Sequence, residues 1–477
     1  MSSLDQRMGY ARARHRWPLK VGLALLALGA CLSVSLWLVS LRLPIPFVDE
    51  GVHFAQIRQF LAGDWSQHPK LTTLTLYHAT MAVTLMALQT LGEWLNLPLA
   101  ADAMAGRWPE MPSVNWVRGL SLLGFSVMAC MVWRALPSVY RRLDPMLDES
   151  GAQQQANRQS WQWLWLPIIF PYLALVYTDP WIIVLVALQL VALVCERRLL
   201  LLVLILAGLG LRQDSIVLLG LWGGLLLFMT HAQPGVRSQA VGMAPPLRSP
   251  LRQLSVWWGL IVRWWWVAVI PVAAFIGFVV WNDGIAMGDT TRHQAGWHTG
   301  NLGYYLGVIG VVFLPLWLAD LPRQRHLLCR LCTRGAWPWR GILLLGALAG
   351  VWVMLVMSFE VTHDYNFQRW TIRNSWLLWL NEHPVGLWVT MLLTTSMALW
   401  WLRAPLRLGH GGLLLVMLAL MVCTRELIET RYMLPLVTVF QLLRCAERAE
   451  VERAMTLWAV SMGALLLAGL VQTRTLP

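Results

Sequence analysis

Charged residues are scarce in this chain: Asp, Glu, Lys and Arg together make up 13% of its 477 residues, whereas 57% are hydrophobic. An ordinary soluble domain has about 25% charged residues. The mean hydropathy of +0.56 is also too high for such a domain. The composition therefore excludes a soluble protein and predicts a membrane protein with several spans.

Lysine occurs only at Lys20 and Lys70, so arginine carries nearly all of the positive charge behind a formal net charge of +13. Such a charge can indicate nucleic-acid binding, but here the arginines lie in short segments between apolar runs. Loops on the cytoplasmic side of membrane proteins collect basic residues in this way. Membrane topology therefore explains the charge, and no nucleic-acid partner is expected. The arginine bias favours a bacterial host.

Several motifs are missing as well. The seven cysteines form no disulfide framework, and Cys329 with Cys332 supplies only half of a zinc-binding pattern. The sequence has no Gly-rich nucleotide loop, no Walker string and no clustered Asp-x-Asp. These absences argue against a nucleotide or nucleotide-sugar substrate.

The N-terminus is basic and precedes an apolar run from about Val21 to Leu41, with no small-residue cleavage pattern after it. We interpret residues 1–20 as a cytoplasmic N-terminus and the run as an uncleaved signal-anchor. Residues 21–477 then form a single transmembrane domain.

Ionisable residues show where the longer apolar runs must turn. A span needs about 20 residues, and a carboxylate at the bilayer centre costs about 2.5 to 3.5 kcal/mol. The run 161–194 should therefore turn at Tyr177 to Pro180, and the run 199–230 at Arg212 to Ser215. Further spans are expected near 115–136, 258–281, 301–319, 341–358, 384–403, 411–424, 432–444 and 456–472.

The segment from Leu71 to Leu91 is long enough to cross, but it contains six threonines and a histidine. If it crosses, the basic loops around Arg141 and Arg237 face outward. If it is an interfacial helix on the outer surface, all the basic loops fall inside, which the positive-inside rule favours. We adopt the second interpretation, with about thirteen spans.

This topology places every polar cluster on the outer side of the membrane. The outer loops are then 42–114, 282–300 and 359–382, and separate segments of the chain are expected to meet at one membrane face. The clusters are 49–73, 177–179, 212–215, 283–298, 363–374 and 425–431.

In this order, the clusters resemble motifs of the dolichyl-phosphate-glucose-dependent alpha-1,2-glucosyltransferase family, which adds the last glucose to a lipid-linked oligosaccharide. The resemblance covers about residues 46 to 435. His68 and Asp214 depart from the family pattern. The residues that carry it are Asp49, Glu50, His53, Pro69, Lys70, Thr72, Thr73, Leu76, Tyr77, Tyr177 to Asp179, Arg212 to Ile216, Gly288 to His293, Trp297, His298, Tyr304, Leu427 to Tyr432 and Pro435.

The resemblance implies an all-α transmembrane bundle with the GT-C glycosyltransferase architecture and interfacial helices in the first outer loop. It also implies transfer of a hexose, here glucose, from a polyprenyl phosphate to a hydroxyl with inversion. The acceptor would be a lipid-linked glycan or an envelope component. The site would face the periplasm from a bacterial inner membrane, or the lumen of the endoplasmic reticulum in a eukaryote.

A single displacement needs one carboxylate as base, and we assign this role to Asp49, with Glu50 as the alternative. The weaker alternative is that Asp49 only N-caps a short helix that runs to Leu61. His53 would lie on the same helical face as Asp49. The donor- and acceptor-binding residues implied by the resemblance are His53, Lys70, Thr72, Thr73, Tyr77, Asp179, Arg212, Gln213, Asp289, His293, His298 and Arg431.

The leaving phosphate needs cations or hydrogen-bond donors. The available residues are Lys70, Arg212, His293, His298, Arg369, Arg373 and Arg431. Structural alternatives stay open: Arg431 can pair with Glu429 or Glu426, and Arg212 with Asp214 or Asp179. Asp289, His293 and His298 also have the chemistry of a metal site, but the resemblance implies neither a metal nor another cofactor.

Two other functional classes compete with the transferase. A flippase or transporter for a polyprenyl-linked sugar also needs polar residues, but transporters place them near mid-membrane between internal repeats, and this sequence shows no repeat. A family member without activity can act as an assembly partner, but Asp49, Glu50 and Lys70 are all present.

Overall fold

The computed structural model describes residues 49–71, 73–95, 114–231, 250–285, 296–333, 339–368 and 372–473. These ranges are almost entirely helical, which confirms the predicted all-α class. The α-helices are α1 (Glu50–Leu61), α2 (Leu76–Trp94), α3 (Val114–Leu143), α4 (Glu149–Leu164), α5 (Asp179–Val194), α6 (Arg198–Leu211), α7 (Leu218–His231), α8 (Pro250–Asn282), α9 (Thr299–Val312), α10 (Leu314–Thr333), α11 (Trp339–Ser358), α12 (Ile372–Glu382), α13 (Pro384–Arg403), α14 (Gly412–Cys423), α15 (Leu434–Leu443) and α16 (Ala449–Thr473).

Short 3-10 helices and one small hairpin complete the described structure. The hairpin pairs β1 (Pro405–Leu406) with β2 (Gly409–His410) in antiparallel register. The 3-10 helices are Phe170–Ala174, Gln213–Val217, Asp364–Phe367 and Thr430–Met433.

Among the described residues, five helices are long and apolar enough to cross a membrane: α3, α8, α11, α13 and α16. The bent pair α9 and α10 adds one more if it counts as a broken span, and α5, α6, α14 and the segment 213–229 are shorter apolar helices. These helices are fewer than the spans expected from apolar length, which number about thirteen. The expected first span, at 21–41, lies outside the described residues.

Both turns predicted from ionisable residues are present. Helix α5 begins at Asp179, directly after Tyr177 and Thr178. Arg212 is extended and separates α6 from the 3-10 turn at Gln213–Val217. Each apolar helix therefore has a charged group at one end, Asp179 at the start of α5 and Arg212 just after α6, and not in its interior.

The structure differs from the expected spans in two places. The run after Trp161 does not continue as a helix, because α4 ends at Leu164 and Pro167 and Pro171 lack the N–H that a helix requires. The expected span at 301–319 is two helices that meet at 103° near Phe313, with Pro315 just beyond the break.

The centre of the bundle is formed by α5 and α15. Every residue of α15 is buried, as are most residues of α5, and the two helices pack against each other. Helices α8 and α11 instead expose large apolar side chains such as Trp258, Trp265 and Ile342, as expected of surfaces that contact lipid. Helix α2 packs on α1 within the segment expected to form an interfacial helix.

A close helix contact places the start of α9 against the end of α11. Gly300 lies so near Ser358 and Phe359 that a Cβ on it would be 2.3 Å from Phe359 Cα and 2.4 Å from the Ser358 carbonyl oxygen. Neither backbone atom can move as a flexible side chain can. Glycine is therefore required here, where α9 begins and Asn301 donates a hydrogen bond to the Arg425 carbonyl.

We expect Gly300→Ala to lower the free energy of unfolding by about 1 to 3 kcal/mol, because the added methyl group must push the two segments apart. Thermal unfolding of the detergent-solubilised protein measures the effect. Gly346→Ala in α11 is the matched control, since its Cβ would meet nothing within 4 Å. Equal unfolding midpoints for the two variants would contradict the contact.

Candidate active site

Five of the six polar clusters meet at one end of the bundle in direct side-chain contacts. Asp49 contacts the 177 and 431 segments, Arg212 joins 179 to 214, and Glu429 joins 373 to 431. His298, the last residue of the sixth cluster, lies next to the 425–431 cluster, since its backbone N–H donates to the Cys423 carbonyl at 2.7 Å. The predicted convergence is therefore present among the described residues.

Asp49 lies at the rim of this end, directly before α1. Its Oδ2 is 3.5 Å from Arg431 Nη2, and its backbone N–H donates to Tyr177 Oη at 3.2 Å. The side chain makes no capping hydrogen bond to α1 and is 48% exposed. Asp49 occupies the N-cap position, but its carboxylate points toward a cation and open space.

Glu50 is the opposite case, with a fully buried carboxylate. Arg118 of α3 donates to both of its oxygens, with Nε 2.8 Å from Oε1, and the Val176 N–H donates to the same oxygen at 2.7 Å. These donors occupy the lone pairs that would accept a substrate proton. The geometry thus favours Asp49 over Glu50 as the candidate base.

The environment of Asp49 strengthens it as a base. Burial of its surroundings raises the pKa of Asp49 above the ordinary 3.8, and the nearby Glu429 charge acts in the same direction. Arg431 and Arg373 oppose the shift without cancelling it. A carboxylate with a raised pKa is the stronger proton acceptor.

Glu429 joins two arginines beside Asp49. Its Oε2 contacts Arg431 Nε, and its Oε1 is 3.3 Å from Arg373 Nη1. Burial opposes the charge on Glu429, but the two guanidinium groups outweigh it and lower its pKa to about 2. Arg431 therefore makes the structural pair anticipated with Glu429 and also reaches Asp49, with its side chain 18% exposed.

Arg212 is held from two sides, as its structural alternative anticipated. It lies 2.9 Å from Asp179 Oδ1 and 2.9 Å from Asp214 Oδ2. Asp214 is shared with Arg425 at 2.6 Å, and the Arg425 guanidinium stacks 4.0 Å above the ring of Tyr432.

Arg212 and Arg431 both line a small cavity of about 10 Å³. Its polar lining consists of Asp214, Ser215 and Tyr432 in addition to the two arginines. A cavity of this size holds about one water molecule, so a phosphate bound by both guanidinium groups requires the lining side chains to move apart.

Loop contacts fix the chain around Glu429. The Tyr305 hydroxyl accepts the Glu429 N–H at 2.9 Å and donates to the Glu429 carbonyl at 3.0 Å. Asn366 holds Ile428 by both its backbone groups, at 3.0 and 3.1 Å, and contacts Asn374, which accepts from Arg373 Nε. Sequence reasoning did not place Tyr305 or Asn366 in the site, although the adjacent tyrosines Tyr304 and Tyr305 in the apolar α9 were a usable signal.

His53 does not reach Asp49 or a phosphate position. It is buried, and its Nδ1 lies 2.9 Å from Nε2 of His78, another residue that sequence reasoning missed. Burial, the second histidine and the nearby arginines lower the pKa of His53 well below 6.5. His53 is therefore neutral at physiological pH and supports the wall behind Tyr177, whose ring centroid is 5.4 Å away.

The other predicted site residues are dispersed. Lys70 is exposed between α1 and α2, Tyr77 is buried with its hydroxyl near Ser121, and Gln213 begins a 3-10 turn. The described contacts join neither Lys70 nor His298 to Asp49 or Arg431. Thr73 has a buried hydroxyl oxygen without a hydrogen-bond partner. The predicted residues outside the described ranges are Thr72, Asp289, His293 and Arg369.

A metal site is not formed by the residues that the structure describes, since no three of their His, Cys, Asp or Glu side chains form a ligand group. Two of the three candidate ligands, Asp289 and His293, lie outside those ranges. The third, His298, uses its backbone N–H to hold α14 near α9.

Comparison with known proteins gives a match over most of the chain. The model of the DIE2/ALG10 family matches residues 43–442. A Dol-P-Glc:Glc(2)Man(9)GlcNAc(2)-PP-Dol alpha-1,2-glucosyltransferase of Pyricularia oryzae is 22% identical over 362 residues, which is 64% of this chain and 53% of that protein. One of the same name from Debaryomyces hansenii is 23% identical over 309 residues, or 61% and 58%. The chain thus spans just over half the length of these curated relatives. No solved structure matches it.

We expect Tyr305→Phe to lower the free energy of unfolding by about 1 to 3 kcal/mol, because the Glu429 N–H and carbonyl lose their shared buried partner. Thermal unfolding measures the loss. Tyr304→Phe is the matched control, a neighbouring buried tyrosine whose hydroxyl makes neither of these contacts. An unchanged unfolding midpoint in Tyr305→Phe would show that the two hydrogen bonds between Tyr305 and the Glu429 backbone contribute nothing to stability.

Proposed function

The chain belongs to the DIE2/ALG10 family, and from this premise we propose that it is an inverting glycosyltransferase that moves glucose from a polyprenyl phosphate to a hydroxyl group. The chain is a multi-pass membrane protein with several helices apolar enough to cross a bilayer. The observation that carries the proposal is the position of Asp49: a half-exposed carboxylate with a raised pKa, 3.5 Å from Arg431.

In the proposed reaction the acceptor hydroxyl oxygen attacks the anomeric carbon while its proton passes to Asp49. The bond between the anomeric carbon and the phosphate oxygen breaks on the opposite face of the sugar. The polyprenyl phosphate leaves with the bonding electrons, and the configuration at carbon inverts. Because only one displacement occurs, one base is sufficient.

Arg431 and Arg212 are proposed to bind the donor phosphate. Attack from the face opposite the phosphate requires the sugar to lie between the base and the phosphate. The donor therefore enters between Asp49 and Arg431, and phosphate oxygens replace Asp49 as the partner of the guanidinium. Arg212 lines the same cavity as Arg431 and reaches the phosphate once the lining side chains move apart. Cations held in place stabilise the charge that develops on the leaving phosphate.

The names of the relatives support the proposed donor and acceptor. Those names specify dolichyl-phosphate glucose and a lipid-linked oligosaccharide. For this chain we propose a polyprenyl-phosphate glucose donor and a hydroxyl of a lipid-linked glycan or envelope lipid, on the side opposite the basic loops. In a bacterium that side is the periplasm and the carrier is undecaprenyl phosphate; in a eukaryote it is the lumen of the endoplasmic reticulum.

We predict that Asp49→Asn lowers glucose transfer by about 100- to 10,000-fold, since an amide cannot accept the hydroxyl proton. The assay incubates purified protein with synthetic polyprenyl-phosphate glucose and an envelope lipid extract, and mass spectrometry detects a product that gains one hexose. Asp64→Asn, an exposed aspartate in the loop after α1, is the control and should retain full activity.

Near-full turnover by Asp49→Asn would remove Asp49 as the base. If the wild-type protein transfers no hexose but moves the labelled donor across liposome membranes, the transferase is wrong and the protein is a flippase.

The pH dependence of transfer gives a second test. Asp49 must be ionised to act, so kcat/KM should fall as pH decreases through a pKa above the ordinary 3.8. This fall in kcat/KM at low pH is the acidic limb of the pH profile. Arg431 lowers the pKa of Asp49, so Arg431→Gln should move the acidic limb to higher pH and also reduce the rate. Arg453→Gln, an exposed arginine of α16, should leave the limb in place. A limb that moves to lower pH in Arg431→Gln would contradict the pairing.

A further inference from the structure

Two neighbouring residues, Asp49 and Glu50, are bound to the same short segment before α5. Asp49 uses its backbone N–H, which donates to Tyr177 Oη, and Glu50 uses its carboxylate, which accepts the Val176 N–H at 2.7 Å. Arg118 completes the arrangement by donating to both oxygens of Glu50. The first peptide of α1 is thus held against the 176–177 segment and against α3.

This arrangement controls the location of the Asp49 carboxylate. Consecutive Cα atoms are about 3.8 Å apart across a trans peptide, so a shift of Glu50 moves Asp49 with it. No capping hydrogen bond of the Asp49 side chain provides an alternative restraint. The side chains of Arg118 and Glu50 are 1% and 0% exposed, so their geometry is set by the protein and not by solvent.

The ion pair between Arg118 and Glu50 also limits the negative charge near Asp49. A second free carboxylate beside Asp49 would repel a donor phosphate. Arg118 balances the charge of Glu50 within the protein, so of these two neighbouring carboxylates only that of Asp49 is exposed.

We propose that Arg118, acting through Glu50, and Tyr177 are positioning residues that hold Asp49 at the distance and angle needed to accept the proton. This inference rests on the proposed function, since it concerns the base of that reaction. It assigns the buried Glu50 a role in positioning and none in proton transfer.

The first test is the double variant Glu50→Gln/Arg118→Gln. Removal of one partner alone would leave a buried unpaired charge and destabilise the protein, whereas removal of both charges avoids this penalty. An amide oxygen at position 50 can still accept the Val176 N–H. We expect the double variant to fold, by gel filtration and thermal unfolding, and its kcat to fall about 10- to 100-fold with the KM for the donor unchanged, as misplacement of a reacting group by about 1 Å causes. The acidic limb of its pH profile should persist, because Asp49 is still the base.

The second variant, Tyr177→Phe, removes the acceptor of the Asp49 N–H without changing any charge. We expect a smaller fall in kcat, again with unchanged KM, in a protein that unfolds close to the wild-type midpoint. This variant keeps the proposal testable if the double variant does not fold. Arg134→Gln, an exposed arginine on the same helix as Arg118, is the matched control and should retain the wild-type kcat.

The outcomes separate the possibilities. Wild-type kcat in folded Glu50→Gln/Arg118→Gln, or in Tyr177→Phe, would overturn the positioning role. A fall in turnover as large as that expected for Asp49→Asn, with the acidic limb absent from the residual activity, would identify Glu50 as a base and overturn the positioning role too. A wild-type protein that transfers no hexose would overturn the proposed function, and the positioning role with it.

Discussion

The contact between Glu429 and Arg431 is the interaction on which the rest of this end of the molecule depends. Arg431 carries a positive charge close to the end of an apolar bundle, where a single unpaired charge is unfavourable. Glu429 compensates it, and Arg373 in turn compensates Glu429. Because Tyr305 fixes the Glu429 backbone from α9, the pair has a defined location against which Asp49 can be placed. Glu429 and the two guanidinium groups carry one net positive charge, which Asp49 balances here and which the proposed phosphate would balance in its place.

Exposure separates groups that can meet a substrate from groups that hold the structure. Asp49 and Arg431 are partly accessible, while Glu50, Arg118 and Asp179 are buried. Glu50 pairs with Arg118, and Asp179 pairs with Arg212 through Oδ1. Buried ion pairs contribute little net stability because desolvation offsets their attraction. What they provide here is fixed geometry, since each joins segments far apart in the chain: Glu50 to Arg118, and Asp179 to Arg212. A rigid inner layer thus supports a small accessible layer.

Local features of the sequence predicted the breaks in the apolar runs and the polar clusters. Asp179 and Arg212 had to lie at helix ends because a charged group is unfavourable in mid-bilayer. Accordingly, α5 begins at Asp179 and α6 ends just before Arg212. The pairs that Arg431 and Arg212 make were among the sequence-based alternatives, since their partners lie nearby in the chain or in another polar cluster. The partners of Glu50 and His53 were not predictable, because nothing in the sequence near Glu50 indicates an arginine 68 positions later, or near His53 a histidine 25 positions later. The 103° bend between α9 and α10 was missed because apolar length dominated the interpretation, although Pro315 marked the place.

The order of Glu50 and Arg118 along the chain has a consequence for biosynthesis. Helix α3, in which Arg118 lies near the start, is long and apolar enough to cross a membrane. A ribosome makes the chain from its N-terminus, so Glu50 has already emerged when α3 reaches the membrane. The counter-charge for Arg118 is therefore available at insertion, and α1 can dock on α3 before the later helices exist. Nascent chains that end soon after α3 would already contain the ion pair that joins the start of α1 to α3.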